Sequence, residues 1–514
     1  MPRAPSTAHR PVEVDPVELR REAERRFGVR RFRPGQRQLI EAVLAGRDAV
    51  GILPTGAGKS LCFQIPAVFI PGQTVIVSPL IALMQDQSAK LADTSLGAVR
   101  LDSSLTAAGR REAERSVDGG HAEFIFVTPE RLQNPDERAR LRRRRVSLFV
   151  VDEAHCVSQW GHDFRPAYLG LRGAIEELGR PRVLALTATS PPEVTADIVR
   201  ALGLRDPAIV NGGIERPNLF FEVRPSVNRE AKQENLLRVV RERGGPGIVY
   251  AATIARVEEV CRFLRAQGVD AVRYHGKLRM RERQAIQERF MRGDHPVVVA
   301  TNAFGLGIDK PDVRFVVHWN FPDSLESYYQ EAGRAGRDGA PALACLLYRL
   351  EDKRIQSFFQ GGKYPRQADL LAVYGAVAKA GEDGTTAAEV ASGTAIPARR
   401  AAVVVALLET MGLARRRARK VVPARAFASD AELTAFLGAY AHRHEEDAER
   451  LRSMMRYAQS AMCRVQYQRD YFAEDAAEPC GHCDNCASGL AARAARVAAR
   501  PDRAAVAVEE GASA

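Results

Sequence analysis

Leu53-Pro54-Thr55-Gly56-Ala57-Gly58-Lys59-Ser60 follows the apolar run Ala49-Val50-Gly51-Ile52 and leads into Leu61-Cys62-Phe63-Gln64-Ile65. A strand, a glycine-containing turn and a helix in that order form a phosphate-binding loop. The glycines let the backbone from Thr55 through Gly56, Ala57 and Gly58 aim its N–H groups, with the positive end of the next helix, at a polyphosphate. Lys59 then reaches the terminal phosphates, and the Ser60 hydroxyl serves as a ligand for Mg²⁺. Leu53 stands where the full pattern has Gly, so the neighbouring sequence has to carry part of the reading.

That sequence repeats one theme. Short β-rich runs end abruptly in polar or Gly/Pro residues: Thr74–Val77 before Ser78-Pro79, Phe124–Val127 before Thr128-Pro129, Leu148–Val151 before Asp152-Glu153-Ala154-His155, and Val183–Leu186 before Thr187-Ala188-Thr189. Continuous apolar runs alternating with helical segments predict a parallel α/β sheet, whose ligands gather at the carboxyl ends of the strands. Asp152 is thereby expected to hold Mg²⁺ with Ser60, and Glu153 to orient or deprotonate an attacking water. Upstream, Gln36 carries an amide that can donate and accept at once, which suits an adenine edge.

A second series of runs, Gly247–Tyr250, Ala271–Tyr274, Val297–Ala300, Phe315–His318 and Cys345–Tyr348, predicts a second α/β lobe without a phosphate loop of its own. It contains Gly333-Arg334-Ala335-Gly336-Arg337. Arg334 and Arg337 share a face if the segment is helical, and a planar, permanently charged guanidinium suits developing phosphoryl charge. An Arg337 reaching from lobe two to a nucleotide on lobe one would make hydrolysis depend on lobe closure.

Beyond residue 350 the chain turns helical and Ala-rich. Helical patterns over 370–380, 387–392 and 397–411 precede a β-capable stretch, 413–424, carrying Arg415, Arg416 and Arg417 with no acid nearby in sequence. Three helices and a basic hairpin are the order of a winged helix; a basic helical hairpin without a partner is the competing description. Cys463, Cys480, Cys483 and Cys486 then supply four thiolates, enough to close a tetrahedral Zn²⁺ site with no open position. The single cysteines Cys62, Cys156, Cys261 and Cys345 sit in apolar surroundings and read as reduced core residues.

Net charge is +12 over 514 residues, which favours polyanionic partners. Only 9 of the 75 basic residues are Lys, so a general Arg bias contributes to that figure. No run approaches the ~18 apolar residues of a membrane span. A cytoplasmic protein, nucleoid-associated in a prokaryote, with no membrane partner is expected.

Taken together, Phe32–Gln36, Leu53–Ser60, Ser78–Gln87, Asp152–Tyr168, Thr187–Thr189, Val299–His318, Ser327–Gly339 and the cysteine cluster resemble the RecQ family of DNA helicases, in helicase superfamily 2. The resemblance implies two RecA-like parallel-sheet lobes, a winged-helix-like segment and a zinc module. It implies ATP, Mg²⁺ and Zn²⁺ as cofactors, with Arg33 and Gln36 at the adenine. It also implies that Cys156–Pro166 is an aromatic-rich loop sensing single-stranded DNA, with Trp160, His162, Phe164 and Arg165 as DNA contacts joined by Ser78. Stacking on Trp160 and Phe164 with Arg165 on phosphate is physically reasonable for single strands.

The activity implied is 3′-to-5′ translocation on single-stranded DNA with unwinding of duplex and branched DNA, in repair, recombination or replication, alongside single-strand-binding or repair proteins. An RNA or mixed-substrate helicase and an annealing protein that uses ATP as a conformational switch are the alternatives. The expected domains are a disordered tail over 1–15, lobe one over 16–212, lobe two over 213–350, the winged-helix-like segment over 365–428, the zinc module over 429–487 and a disordered tail over 488–514. The chain departs from the family pattern at Val29, at Tyr274–Leu278 and at Gly307-Ile308-Asp309, and the winged-helix-like segment precedes the zinc module rather than following it.

Overall fold

The computed structural model describes residues 9–158, 165–305, 308–355, 367–410, 412–417, 420–427, 429–475 and 478–498. Lobe one is a seven-stranded parallel sheet. Its strands are β1 (Ala49–Ile52), β2 (Gln73–Val77), β3 (Ala98–Leu101), β4 (Phe124–Val127), β5 (Val146–Val151), β6 (Arg182–Thr187) and β7 (Ala208–Asn211), in the order β3-β4-β2-β5-β6-β1-β7. Successive side chains leave opposite faces of a strand, and each face has its own core. Val75, Val77, Ile125, Val127, Phe149 and Val151 pack on one side; Ile76, Phe124, Phe126, Leu148 and Val150 pack on the other. Both faces being covered by helices explains the unbroken apolar runs.

Lobe two is a six-stranded parallel sheet, β10-β11-β9-β12-β13-β8, built from β8 (Leu219–Pro225), β9 (Gly247–Tyr250), β10 (Ala271–Tyr274), β11 (Val297–Ala300), β12 (Phe315–His318) and β13 (Ala342–Tyr348). The strands β3, β7 and β8, which the apolar runs did not reveal, all lie at sheet edges. Their burial is mixed or alternating, so they lack the run that marks a central strand.

Contacts divide the chain into two compact units. One holds both lobes and returns at Tyr457 to include the cysteine cluster; the other is 349–456 with 322–325. The boundary expected at residue 429 therefore falls inside the second unit. That unit packs the helices Gln367–Ala380, Ala387–Thr394 and Ala398–Thr410 around Leu370, Val373, Val404 and Leu408. An antiparallel hairpin follows, β14 (Ala414–Arg417) with β15 (Lys420–Pro423), and Val421 also bridges to Thr385.

Parts of both expected tails are built into the fold. The Val12 N–H donates to Leu44 O at 2.8 Å, Arg182 donates to Arg10 O at 2.6 Å, and Val12 and Val14 lie against the lobe-one core. Backbone pairing of this kind needs no apolar period, which is why the sequence pattern did not reveal it. At the other end, Leu490–Ala498 is helical. Among the described residues no helix is long and apolar enough to cross a membrane.

Candidate functional site

The loop after β1 sits at the carboxyl end of the lobe-one sheet, where it lines a 1020 Å³ cavity. Gly56 and Gly58 take left-handed φ values of 82° and 77°. The φ at Gly58 favours glycine, and a Cβ there would stand 2.6 Å from Gln36 Nε2 and push that amide from its place. Gln36 is 1% exposed. Its amide donates to Ala57 O at 2.8 Å and Gly58 O at 3.1 Å, while its Oε1 accepts from the Arg33 N–H at 2.7 Å. Gln36 thus braces the phosphate loop, as Arg33 does through Gly56 O, and both residues line the cavity.

Lys59 folds back onto Leu53 O at 3.3 Å. Burial pulls its pKa down, opposed by Glu153 and Asp152. Ser60 Oγ accepts from Gln87 Nε2 at 3.0 Å. Asp152 leaves the end of β5 beside the end of β2, so Ser78 Oγ lies 3.3 Å from its Oδ2. Burial, then the neighbouring Glu153, pushes the Asp152 carboxyl up. Ser78, expected to touch DNA, is 2% exposed and faces this carboxylate: parallel pairing of β2 with β5 places the two strand ends side by side.

Glu153 holds a left-handed φ of 48°, uncommon for a side chain of its size. Its carboxylate lies 3.4 Å from His155 Nδ1, which also meets Thr187 Oγ1 at 3.0 Å. Lys59, Ser60, Asp152 and Glu153 line the same cavity, and so do Arg334 and Arg337 from lobe two.

The two arginines reach it differently from the helical expectation. The helix Leu325–Ala332 stops first, and Gly336 turns with φ 60°. Arg334 donates to Gly305 O within its own lobe. Arg337 donates to Asp309 Oδ1 at 2.6 Å, and its Cγ lies 3.1 Å from where a Cβ would stand on Gly56. Asp309 also receives Lys90 of lobe one at 2.5 Å. Burial alone would raise the Asp309 carboxyl; Arg337 and Lys90 together hold it below its ordinary value.

Sequence reasoning missed Lys90 and Arg216 and gave no role to Gln87, although Gln87 ends one of the stretches it quoted. Each meets a partner remote in sequence: Asp309, Thr55 O and Ser60. Arg165 is described and approaches Pro79 O at 3.5 Å; Trp160, His162 and Phe164 lie outside the described residues.

The Sγ atoms of Cys463, Cys480, Cys483 and Cys486 all lie within 4.8 Å of one another. Zn–S bonds of about 2.3 Å in a tetrahedron place sulfurs about 3.8 Å apart, so the four thiols fit zinc. Backbone N–H groups of Arg464 and Cys480 already point at Cys483 Sγ and Cys463 Sγ, at 3.4 and 3.2 Å, as outer partners of a thiolate do. His482 turns its Nδ1 to Cys480 O. The buried Arg464 pairs with Asp484 at 2.9 Å, and Asp484 accepts the Val223 N–H of edge strand β8 at 2.9 Å. The module is thereby fastened to lobe two.

In the second unit, Arg415, Arg416 and Arg417 are exposed on β14. They have acids beside them after all. Arg416 pairs with Glu409 at 3.0 Å, and Arg417 approaches Glu382 at 3.5 Å, because folding brings the two preceding helix ends next to the hairpin.

Comparison with known proteins gives three family matches: DEAD/DEAH box helicase over residues 33–198, helicase conserved C-terminal domain over 231–339, and RecQ zinc-binding over 425–487. The chain is similar to the ATP-dependent DNA helicase RecQ of Pasteurella multocida, 42% identical over 63% of this chain and 51% of the relative. It is also similar to the probable ATP-dependent DNA helicase RecS of Bacillus subtilis, 40% identical over 64% of this chain and 66% of the relative. The chain thus spans about half to two thirds of the length of these relatives. Among solved structures, the DUF1998 helicase MrfA bound to DNA matches with a TM-score of 0.55 at 20% identity, covering 83% of this chain and 64% of that one. The Mycobacterium smegmatis helicase Lhr bound to single-stranded DNA and AMP-PNP matches with a TM-score of 0.55 at 21% identity, covering 82% and 61%. These two likenesses concern the fold.

Proposed function

The chain belongs to the RecQ family of helicases, and from that premise we propose that it is an ATP- and Mg²⁺-dependent DNA helicase that moves 3′ to 5′ along single-stranded DNA. The observation that carries the reading is the composition of one cavity: phosphate loop, paired acids and the arginines of the other lobe line it together. In this reading Lys59 exchanges its bond to Leu53 O for the terminal phosphates. Ser60 and Asp152 would hold Mg²⁺, which neutralises developing phosphate charge when bound. Glu153 orients the attacking water, and Arg337 leaves Asp309 to meet the transferring phosphoryl group. Exchange of the Arg337–Asp309 pair ties chemistry to movement of the lobes, because Asp309 is also the partner of Lys90.

DNA is the proposed track, with Trp160, His162, Phe164 and Arg165 reading single strands and branched DNA as the substrate in repair, recombination or replication. A tailed DNA duplex of each polarity and the matching RNA duplex, incubated with ATP, test the reading. Unwinding is expected for the 3′-tailed DNA, with Lys59→Ala inactive. Unwinding of RNA alone, or strand separation by Lys59→Ala at the wild-type rate, would remove the DNA-motor account.

The hairpin of the second unit is proposed as an additional DNA contact. Exposed Arg–Glu pairs are worth only ~0–1 kcal/mol, so Glu409 and Glu382 leave the guanidinium groups available to phosphate. Replacing Arg415, Arg416 and Arg417 together by Gln is expected to weaken DNA binding and flatten its log–log salt dependence by about two to three units. A slope equal to wild type would assign these side chains to the fold alone.

A further inference from the structure

Residues 212–218 join β7 of lobe one to β8 of lobe two, and the zinc module holds this crossing from one side. Ile214, Tyr329 and Phe472 form a small buried cluster of their own, with Tyr471 against it. The Tyr329 hydroxyl donates to Ile214 O at 2.6 Å, and its ring meets Phe472 at 5.8 Å in an edge arrangement. Glu215 pairs with Arg469 at 2.6 Å, and the Glu474 carboxylate is bonded to the Ile214 backbone. Arg469 and Phe472 lie at the end of the helix Arg464–Tyr471, whose N-cap is the zinc-site residue Cys463. Eight residues of helix span about 12 Å, so one short rod runs from the metal site to the crossing.

The next residue holds the cleft from the other side. Arg216 Nη1 donates to Thr55 O of the phosphate loop at 2.8 Å and to Gly333 O at 3.0 Å; its Nη2 donates to Ala335 O at 2.8 Å and Gly336 O at 3.0 Å. One guanidinium thus sets the phosphate loop against the turn that carries Arg334 and Arg337. It forms no ion pair with a carboxylate among the described residues, so its charge serves the four carbonyl dipoles.

We infer that Arg216 is a positioning residue for hydrolysis, and that the zinc module sets it through the grip of Phe472, Arg469 and Glu474 on Ile214 and Glu215. The inference rests on the ATP-dependent activity proposed above. When Arg216 is lost, the phosphate loop and Arg337 keep their own chemistry but lose their common reference. A displacement on the order of 1 Å in such a site costs about 10²-fold in rate. Charge reversal at Arg469 would set a third acid beside Glu215 and Glu474 and loosen the grip without touching a cysteine.

The test uses the whole chain and three readouts: kcat and KM for ATP at saturating single-stranded DNA, and zinc per chain by elemental analysis. Arg216→Ala is expected to lower kcat about 10²-fold with KM changed less than about threefold, and Arg216→Lys to recover only part because it lacks the fork. Arg469→Glu should keep its zinc and lose about tenfold in kcat, and adding Glu215→Arg should return most of that loss by restoring the pair in reverse. Wild-type kcat in Arg469→Glu, a double variant no faster than the single one, or zinc lost together with rate would each overturn the coupling. Wild-type protein that hydrolyses no ATP would instead sink the proposed function, and this inference with it.

Discussion

Arg337→Ala is expected to lower DNA-stimulated ATP hydrolysis by about 10³–10⁵-fold while changing ATP affinity far less. Arg337 stands on lobe two, yet its side chain packs against Gly56 of the phosphate loop. Its charge is balanced by Asp309, which Lys90 of lobe one also holds. A guanidinium stored on a carboxylate at the cleft wall contributes little to ground-state binding and becomes valuable when phosphoryl charge develops. Only such differential interaction raises kcat. Phosphate release at saturating DNA, set beside titration with a fluorescent ATP analogue, separates the two quantities. Equal losses in affinity and turnover would place Arg337 in nucleotide binding instead. Arg337→Lys should recover little, because a single ammonium cannot reproduce the planar fork.

Cys483→Ser is expected to empty the zinc site, from about one zinc per chain to nearly none, and to lower the melting temperature by several degrees. Cys483 is fully buried, and its sulfur receives the Arg464 N–H. Zinc binding in small four-ligand peptides amounts to roughly 10–16 kcal/mol, and most of that is folding energy for a segment with so small a core. The effect should spread past the module, since Arg464 and Asp484 fasten it to β8 and Phe472 closes on the lobe crossing. Elemental analysis and thermal unfolding of the variant check this. Full zinc content with an unchanged melting curve would mean that three thiolates suffice and that the fourth is dispensable.

Much of the site was legible because its chemistry is local. Gly56, Gly58, Lys59 and Ser60 are consecutive or nearly so, and the strand before them and the helix after them supply what Leu53 takes from the pattern. Asp152 and Glu153 follow an unbroken apolar run, which marks a central strand end. The cysteines carry their own spacing. Three of the four edge strands were illegible for a reason of the same kind: β3, β7 and β8 have mixed or alternating burial, so their sequences lack the continuous run that marks β4 or β9. The glutamates beside the Arg415–Arg417 hairpin were invisible because they come from the ends of preceding helices.

Ser78 and Gln36 show what local reading leaves out. Ser78 faces Asp152 because β2 and β5 pair in parallel, and Gln36, read as suited to an adenine edge, also bonds the carbonyls of the phosphate loop. Arg216 is the opposite case, a residue with no motif whose four acceptors come from two lobes.

Residue chemistry and short-range spacing were enough to point to a phosphate loop, a carboxylate pair, a four-cysteine cluster and two parallel sheets, because each depends on neighbours within a few positions. Only the packed chain decided which groups face one another across the cleft. Arg337 against Gly56, Lys90 on Asp309 and Phe472 on Ile214 join residues hundreds of positions apart, and hydrogen bonds and close packing act over a few ångströms whatever the separation along the chain.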